Sequence, residues 1–323
     1  MDTLRKILEK INTEAGFRGD IRYDEPLAGH TTFRVGGPAD VWIRPEGDVF
    51  PSYAAFLLDR ARAAGIPVFI LGGGANLVVS DRGIRGIVLD TGGWSGLEAA
   101  VLSGDEEGEA GPQVLIRGGT PVDKAAEALA AQGLGGLEFL AGMPGSIGGA
   151  VWMNARCYDR SVSDVLAGTE ILDESLHRTW VPFKTEDFSY KKSPFQNREV
   201  LILRARFRLY PRPAADIRRE MEEHRRDRDA KGHYRFPSAG SAFKNSRAFG
   251  RPLGQIIDEL GLRGLSAGGA SVAPFHGNII INTGNASASD IRALTEEVAT
   301  RLRSATGIDA EPEILFVGEW EEV

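Results

Sequence analysis

The chain has a single cysteine, Cys157, a scarcity that excludes an intrachain disulfide and any zinc or iron–sulfur centre built from cysteine. Its 5 histidines, His30, His177, His224, His233 and His276, are scattered without short ligand spacing, so a metal centre has little support. Long hydrophobic runs are lacking as well. The longest, near Val68 to Val79, is broken by three glycines and an asparagine, and it falls well short of the roughly 20 residues that span a bilayer. Positive charge is not in excess: 38 Lys and Arg stand against 45 Asp and Glu, for a formal charge of −7 and a pI of about 5.4. That balance argues against a general polyanion binder, and no nucleic-acid partner is expected. The opening MDTLRKILEKINTEAG carries acids within its apolar periodicity and has no small-residue cleavage site, so a cytoplasmic location and no membrane partner are expected. Internal repeats and low-complexity tracts are absent from the sequence.

What is present is length and glycine. At 323 residues, with 40 glycines, the chain should divide into two or three units with room for a large buried ligand. Pro51 to Ala64 reads as a helix, stopped by Gly65 and Pro67 before the strand-like VFIL. The runs VVS and GIVLD follow as short strands on either side of a turn at Asp81 to Gly83, and the acidic, glycine-rich residues 99 to 113 read as a solvated loop or hairpin tip. Thr120 is a suitable N-cap, with Pro121 as first helical residue and Val122, Ala125, Ala126 and Leu129 on one face up to Gly133. Between residues 166 and 210 strand-like runs (TEIL, VLILRARFRLY) alternate with polar turns, and Pro211 with Pro213 marks a boundary. The interleaved charges of ADIRREMEEHRRDRDAKG, among them Glu222 four residues before Arg226, predict a solvated helix. A last helix starts near Ser287 or Ser289 with Ile291, Leu294, Val298 and Leu302 on one face and ends near Gly307, and EPEILFVG reads as a closing strand.

Two glycine clusters stand out, LGGGANL (71 to 77) and AGMPGSIGG (141 to 149). A dinucleotide fingerprint of the Rossmann type fails at Leu77, where a third glycine is needed and the sequence continues as strand. Neither cluster is followed by Gly-Lys-Ser or Gly-Lys-Thr, which removes a P-loop, and Pro144 stands where a nucleophile elbow requires glycine. What remains is a pair of strand-linked glycine turns whose N–H groups could form anion-binding nests around a pyrophosphate; either cluster alone reads better as a tight turn.

Six blocks change that balance: HTTFRVGGPAD (30 to 40), LGGGANLVVSDRGIRGIVL (71 to 89), GLEFLAGMPGSIGGAVWMNA (137 to 155), PSAGSAFKN (237 to 245), GGASVAPFHGNIIINTGNASASD (268 to 290) and EPEILFVG (311 to 318). In this order, from about residue 25 to the C-terminus, the sequence resembles the UDP-N-acetylenolpyruvoylglucosamine reductases. The resemblance implies an α+β fold: a two-subdomain FAD-binding module of the vanillyl-alcohol-oxidase type (residues 1 to 90 and 91 to 211), then an α+β substrate-binding domain (212 to 323) whose final strand returns to the active site. The direct passage from RLYPRP to the charged helix is similar to the shorter, second type of the family, which lacks a tyrosine-bearing insertion. The implied activity is NADPH-dependent, FAD-mediated reduction of UDP-N-acetylglucosamine enolpyruvate to UDP-N-acetylmuramate in peptidoglycan precursor synthesis, by a protein expected to be a monomer.

Reduction of the enolpyruvyl ether at its vinyl carbon leaves enolate character beside the carboxylate, and that requires a positioned acid and stabilisation of negative charge. By match to the family motifs, Ser241 is the proton donor and Glu313 the catalytic carboxylate, with Glu311 the nearest wrong choice. Without the motif, Ser241 would read as a turn or cap residue and Glu313 as an exposed strand-edge charge. At the third position the chain departs from the family: Tyr190, Lys191, Lys192, Ser193 stand for the usual Tyr-Arg-x-Ser. Lysine keeps the charge but loses the planar fork, so Lys191 is expected as electrostatic stabiliser, with Lys192 or Arg235 as helpers, against the alternative of solvated loop lysines. The same matching places Tyr190, Lys231, Asn245 and His276 on the UDP-sugar, Lys231 with less support because GHYRFP after it departs from the proline-bearing spacing of the family. Tightly bound FAD is expected on Gly72, Gly73, Gly74, Asn76, Leu77, Gly142, Pro144, Gly145, Ser146 and Gly149, the two clusters wrapping its pyrophosphate and flavin. Cys157 is expected to pack as a small hydrophobe, a link to the flavin being the weaker alternative. Two other functions stay open at this point: an oxygen-using oxidase of the same superfamily, and a UDP-sugar binder with degraded catalysis, the latter motivated by Lys191.

Overall fold

The computed structural model describes residues 2–98 and 111–321. The expected loop at 99 to 113 therefore lies, up to residue 110, outside the described residues. The chain gathers into two compact units, one of Met1–Arg22, Trp42–Gly73 and Gly86–Arg226, the other of Tyr23–Val41, Gly74–Arg85 and Asp227–Val323. Strands Gly19–Pro26, Pro38–Pro45, Ile84–Asp90 and Val68–Leu71 form, in that order, a four-stranded sheet whose last two members run parallel.

The first unit is built on a five-stranded antiparallel sheet, in the order Arg178–Pro182, Leu166–Leu172, Leu201–Arg208, Gln113–Arg117, Leu97–Glu98. Strand Leu201–Arg208 alternates buried Leu203, Ala205 and Phe207 with half-buried arginines, the period of two that puts one face on the core. Against it pack helix Val122–Ala131, through Val122, Ala125, Ala126 and Leu129, and the short helix Ile147–Trp152. Helix Phe50–Ala63 carries proline in its first turn and buries Phe50, Tyr53, Ala54, Leu57 and Ala61, spacings that make one stripe. Helix Ala214–Ala230 is charged, as its sequence predicts, yet Ile217 and Met221, one turn apart, are buried in the first unit's core. Two expectations are corrected here. The cap position of helix Val122–Ala131 is Pro121 rather than Thr120, because the Thr120 hydroxyl is engaged with Arg117 O at 2.7 Å and with Gly96 N–H at 2.9 Å. The second glycine cluster is not strand-linked: it leads into helix Ile147–Trp152, whose N-cap is Ser146.

In the second unit an antiparallel sheet of Ser266–Ala267, Ala270–Val272 and Ile280–Asn282 supports helix Ala288–Thr306. Ser287 and Asp290 form a reciprocal capping box, and both oxygens of the Asp81 carboxylate accept N–H bonds from the first turn, from Ala288 at 2.7 Å and Ser289 at 2.9 Å. The face predicted to be apolar, Ile291, Leu294, Val298 and Leu302, is fully buried with Phe33, Phe243, Leu253 and Ile257. Each such side chain contributes about 1.5–3 kcal/mol of burial. The closing strand is Leu315–Val317, paired in parallel with Leu77–Val79. Among the described residues no helix is long and apolar enough to cross a membrane, and no cluster of three His, Cys, Asp or Glu could hold a metal.

Candidate active site

In the first unit Gly72 and Gly73, from the start of the first glycine cluster, meet the second cluster. A Cβ on Gly73 would lie 2.5 Å from Gly145 Cα, and one on Gly72 would lie 2.6 Å from Ser146 Oγ, so neither position tolerates a side chain without displacing backbone or the serine. Ser146 is the hinge of this contact: its hydroxyl accepts N–H bonds from Gly73 and from Gly149, each at 3.3 Å. Val122 N–H donates to Gly145 O at 3.1 Å and Ile147 N–H to Thr120 O at 2.9 Å, which ties the second cluster to the helix before it. The Gly142 N–H donates to Asp123 Oδ1 at 2.7 Å, an oxygen that Arg225 also engages at 2.8 Å, so the Asp123 carboxylate beside this cluster is paired with a guanidinium. The clusters themselves contain no acid. The Gly73 and Gly149 N–H groups are spent on Ser146 and that of Gly142 on Asp123, so what the clusters offer a doubly anionic pyrophosphate is closely packed backbone free of acids of its own.

Tyr190 and Lys191, also in this unit, occupy the tip of a four-residue turn in which Ser189 and Lys192 exchange backbone hydrogen bonds of 3.2 and 3.0 Å. Lys191 adopts a φ of 58°. Three side chains hold the turn, two of them, Asn154 and Gln196, not singled out from the sequence and the third, Ser193, named there only as the end of the motif. Asn154 Nδ2 donates to Ser189 O at 2.9 Å, Gln196 Nε2 to Lys191 O at 3.1 Å, and Ser193 Oγ to Trp152 O at 2.7 Å. Asn154 is buried and itself has a φ of 43°, so it too is a shaped backbone position. The available signal was its place within the block WMNA. Tyr190 is 41% exposed, and Cys157 packs half-buried against the first unit's core.

The second unit brings together most of the remaining candidates. The segment after Gly240 lies between two others: Ser241 bridges to Ile279 on one side, and Phe243 bridges to Pro312 on the other. Glu313 N–H donates to Ala242 O at 2.8 Å, which places the glutamate beside Ser241's immediate neighbour. Glu313 is buried, unlike the strand-edge charge its bare sequence suggests, whereas Glu311 is exposed and paired to Lys244 at 2.6 Å. Asn76 joins the same cluster by donating from Nδ2 to Glu313 O at 2.9 Å, and Leu77 opens the strand that pairs with Leu315. Asn278, which the sequence reading did not single out, holds the segment in register. Its amide accepts from Phe243 N–H at 3.0 Å and donates to Phe243 O at 2.8 Å, while its own carbonyl accepts from Ala242 N–H at 2.8 Å. An asparagine among apolar residues, in HGNIII, was the only hint.

The expected sugar-nucleotide contacts divide. Asn245 spends its carbonyl on Leu253 N–H at 2.9 Å, at the start of helix Leu253–Glu259. Lys231 pairs with Asp227 at 2.7 Å. His276 accepts a 3.1 Å bond from Asn278 N–H at Nδ1, which leaves the proton on Nε2. Burial is the main cause holding the His276 imidazole below its ordinary value; Arg263 and Lys231 add to it and Asp258 opposes it. Gly74 closes against the His30 carbonyl, and His30 Nε2 meets Glu25 at 2.8 Å.

The class follows from a mixed α+β fold, two acid-free glycine turns, and a half-buried Ser241 on the segment that runs beside the buried Glu313. Residues 54–175 match the family model of an FAD binding domain, and the protein is a flavin-dependent oxidoreductase with FAD as cofactor. Residues 232–317 match the model for the C-terminal domain of UDP-N-acetylenolpyruvoylglucosamine reductase. The reductase of Treponema denticola is 39% identical over 99% of this chain and 100% of its own length. That of Bacillus subtilis is 35% identical over 96% and 99%. The crystal structure of the Thermus caldophilus reductase superposes with a TM-score of 0.73 at 31% identity, covering 93% of this chain and 99% of that one. The chain belongs to the UDP-N-acetylenolpyruvoylglucosamine reductase family.

Proposed function

We propose that the protein uses NADPH to reduce UDP-N-acetylglucosamine enolpyruvate to UDP-N-acetylmuramate, a step in making peptidoglycan precursors. The observation that carries this reading is the placement of Ser241 and the buried Glu313 on adjoining, hydrogen-bonded segments, with Asn76 tied to the glutamate's carbonyl. FAD, when bound, supplies the two-electron reduction. The residues of this chain supply the rest. Ser241 gives a proton to the carbon next to the substrate carboxylate, Glu313 polarises the enolate, and Lys191 balances the charge that develops. The glycine clusters, with Asn76 and Leu77, hold the cofactor, while Tyr190, Lys231, Asn245 and His276 orient the nucleotide sugar. In this reading residues 1–90 and 91–211 serve the cofactor and 212–323 the substrate, in a cytoplasmic monomer.

The test is anaerobic stopped-flow absorbance of the purified holoenzyme. Flavin colour is expected to bleach on mixing with NADPH and to return on adding UDP-N-acetylglucosamine enolpyruvate. Colour that returns only when oxygen is admitted would overturn the reading in favour of an oxidase.

A further inference from the structure

After the charged helix the chain runs Lys231, Gly232, His233, Tyr234. The stretch is shaped. Gly232 has a φ of 80°, and a Cβ there would strike the Phe275 ring at 2.6 Å, so the loop can close onto the segment bearing His276 only with glycine. Closure sets the rings of His233 and His276 at 6.4 Å between centroids, tilted by 47°. His233 N–H is fixed to Arg228 O at 3.0 Å at the end of the charged helix. We propose that His233 is a further contact for the diphosphate of the nucleotide sugar, acting beside His276 and Lys231 and taking up a proton as the anion binds. This inference rests on the reading given under Proposed function.

The groups around the pair set the direction. Burial holds the free His233 imidazole down at about 4, with Arg228, His276 and Lys231 reinforcing it and Asp227 opposing. Toward His276 face Asp258, from helix Leu253–Glu259, and Arg263, from the loop after it. Cations outnumber carboxylates here, so the neutral imidazole is favoured until a ligand brings negative charge. A diphosphate diester does not titrate near neutrality, so proton uptake must come from the protein. If binding restores His233 from about 4 to the ordinary ~6.5, about three-quarters of a proton is taken up at pH 6, and affinity is about thirtyfold tighter at pH 5 than at pH 8.

The experiment is calorimetric titration of the oxidised holoenzyme with UDP-N-acetylmuramate at pH 6, in two buffers of different ionisation enthalpy. Uptake approaching that value in the wild type, lost for the most part in His233→Asn and His233→Gln together with the pH dependence of Kd, is expected. Binding without proton uptake, or uptake undiminished in both variants, overturns the inference alone. No binding at all overturns the functional reading and the inference with it. NMR of the His233 ring resonances in the wild-type holoenzyme reads the same protonation without a substitution. A ring that stays neutral in the complex at pH 6 also overturns it.

Discussion

Asn278→Ala separates what Asn278 does for the fold from what Ser241 does for the reaction. The asparagine is 2% exposed and its amide satisfies both backbone groups of Phe243, which is 1% exposed. Alanine leaves a buried N–H and a buried C=O without partners. Each such orphan costs about 1–3 kcal/mol, so the variant should lose about 2–6 kcal/mol of stability. At roughly 2 °C per kcal/mol for a chain of this length, the thermal midpoint should fall by about 4–12 °C. Asn278→Asp is the sharper control. It can still accept from Phe243 N–H but faces the Phe243 carbonyl with a second acceptor in a buried place, so it should be at least as damaging as alanine. Urea unfolding monitored by circular dichroism at constant m-value measures both. An Asn278→Ala loss below ~0.5 kcal/mol would refute the idea that this amide pins the segment carrying Ser241.

Other consequences can be checked in parallel. Ser241→Ala should leave reduction by NADPH intact and slow reoxidation by the enolpyruvyl substrate by about 10²–10⁴-fold, read in the two half-reactions. Gly73→Ala forces a methyl into Gly145 and should yield protein with less bound flavin, read from the 450 nm-region absorbance of the purified protein relative to its protein absorbance. For His233, the pKa lies below its unfolded value, at about 4. Between that value and ~6.5 the unfolded chain binds more protons than the folded one, so the contribution to stability is complete above ~6.5 and is lost as pH falls toward 4. The acid slope of stability in this window should flatten in His233→Asn.

Much of the fold was legible because its punctuation is local. Pro51, Gly133, Ser287 and Gly307 announce helix ends through chemistry confined to a turn of the chain. Elements whose signal depends on distant partners were less so. Thr120 has the right chemistry for a cap, but it sits beside a 24-residue-distant partner, Gly96, that claims its hydroxyl. The sequence PGSIGG reads as a turn on propensity alone; it becomes a helix because Ser146 caps it and Ile147, Ala150 and Val151 find the core. The candidate site divides in the same way. Ser241 and Glu313 were readable as family motifs, whereas Asn278 and Asn154 act by satisfying backbone groups of residues far along the chain, which spacing does not encode.

Lys191, which the resemblance places where an arginine is expected, most invites a test, and the turn it occupies supplies two independent readouts. Its φ of 58° is left-handed, a conformation that costs a non-glycine residue about 1 kcal/mol. Lys191→Gly therefore relieves the backbone while deleting the charge, and Lys191→Met deletes the charge while keeping the backbone cost. If the lysine serves only the turn, glycine should be the better protein and both variants should retain turnover. If the ammonium balances developing negative charge, both variants should lose it alike, by about 10²–10³-fold in reoxidation by the enolpyruvyl substrate, even though their urea midpoints diverge. Lys191→Arg then becomes informative. It keeps the charge in the same anchored turn and adds a planar fork able to grip a carboxylate with two bonds, so reoxidation should match or exceed the wild-type rate. Full turnover in Lys191→Met would remove the lysine from the chemistry and leave Lys192 or Arg235 to account for the charge.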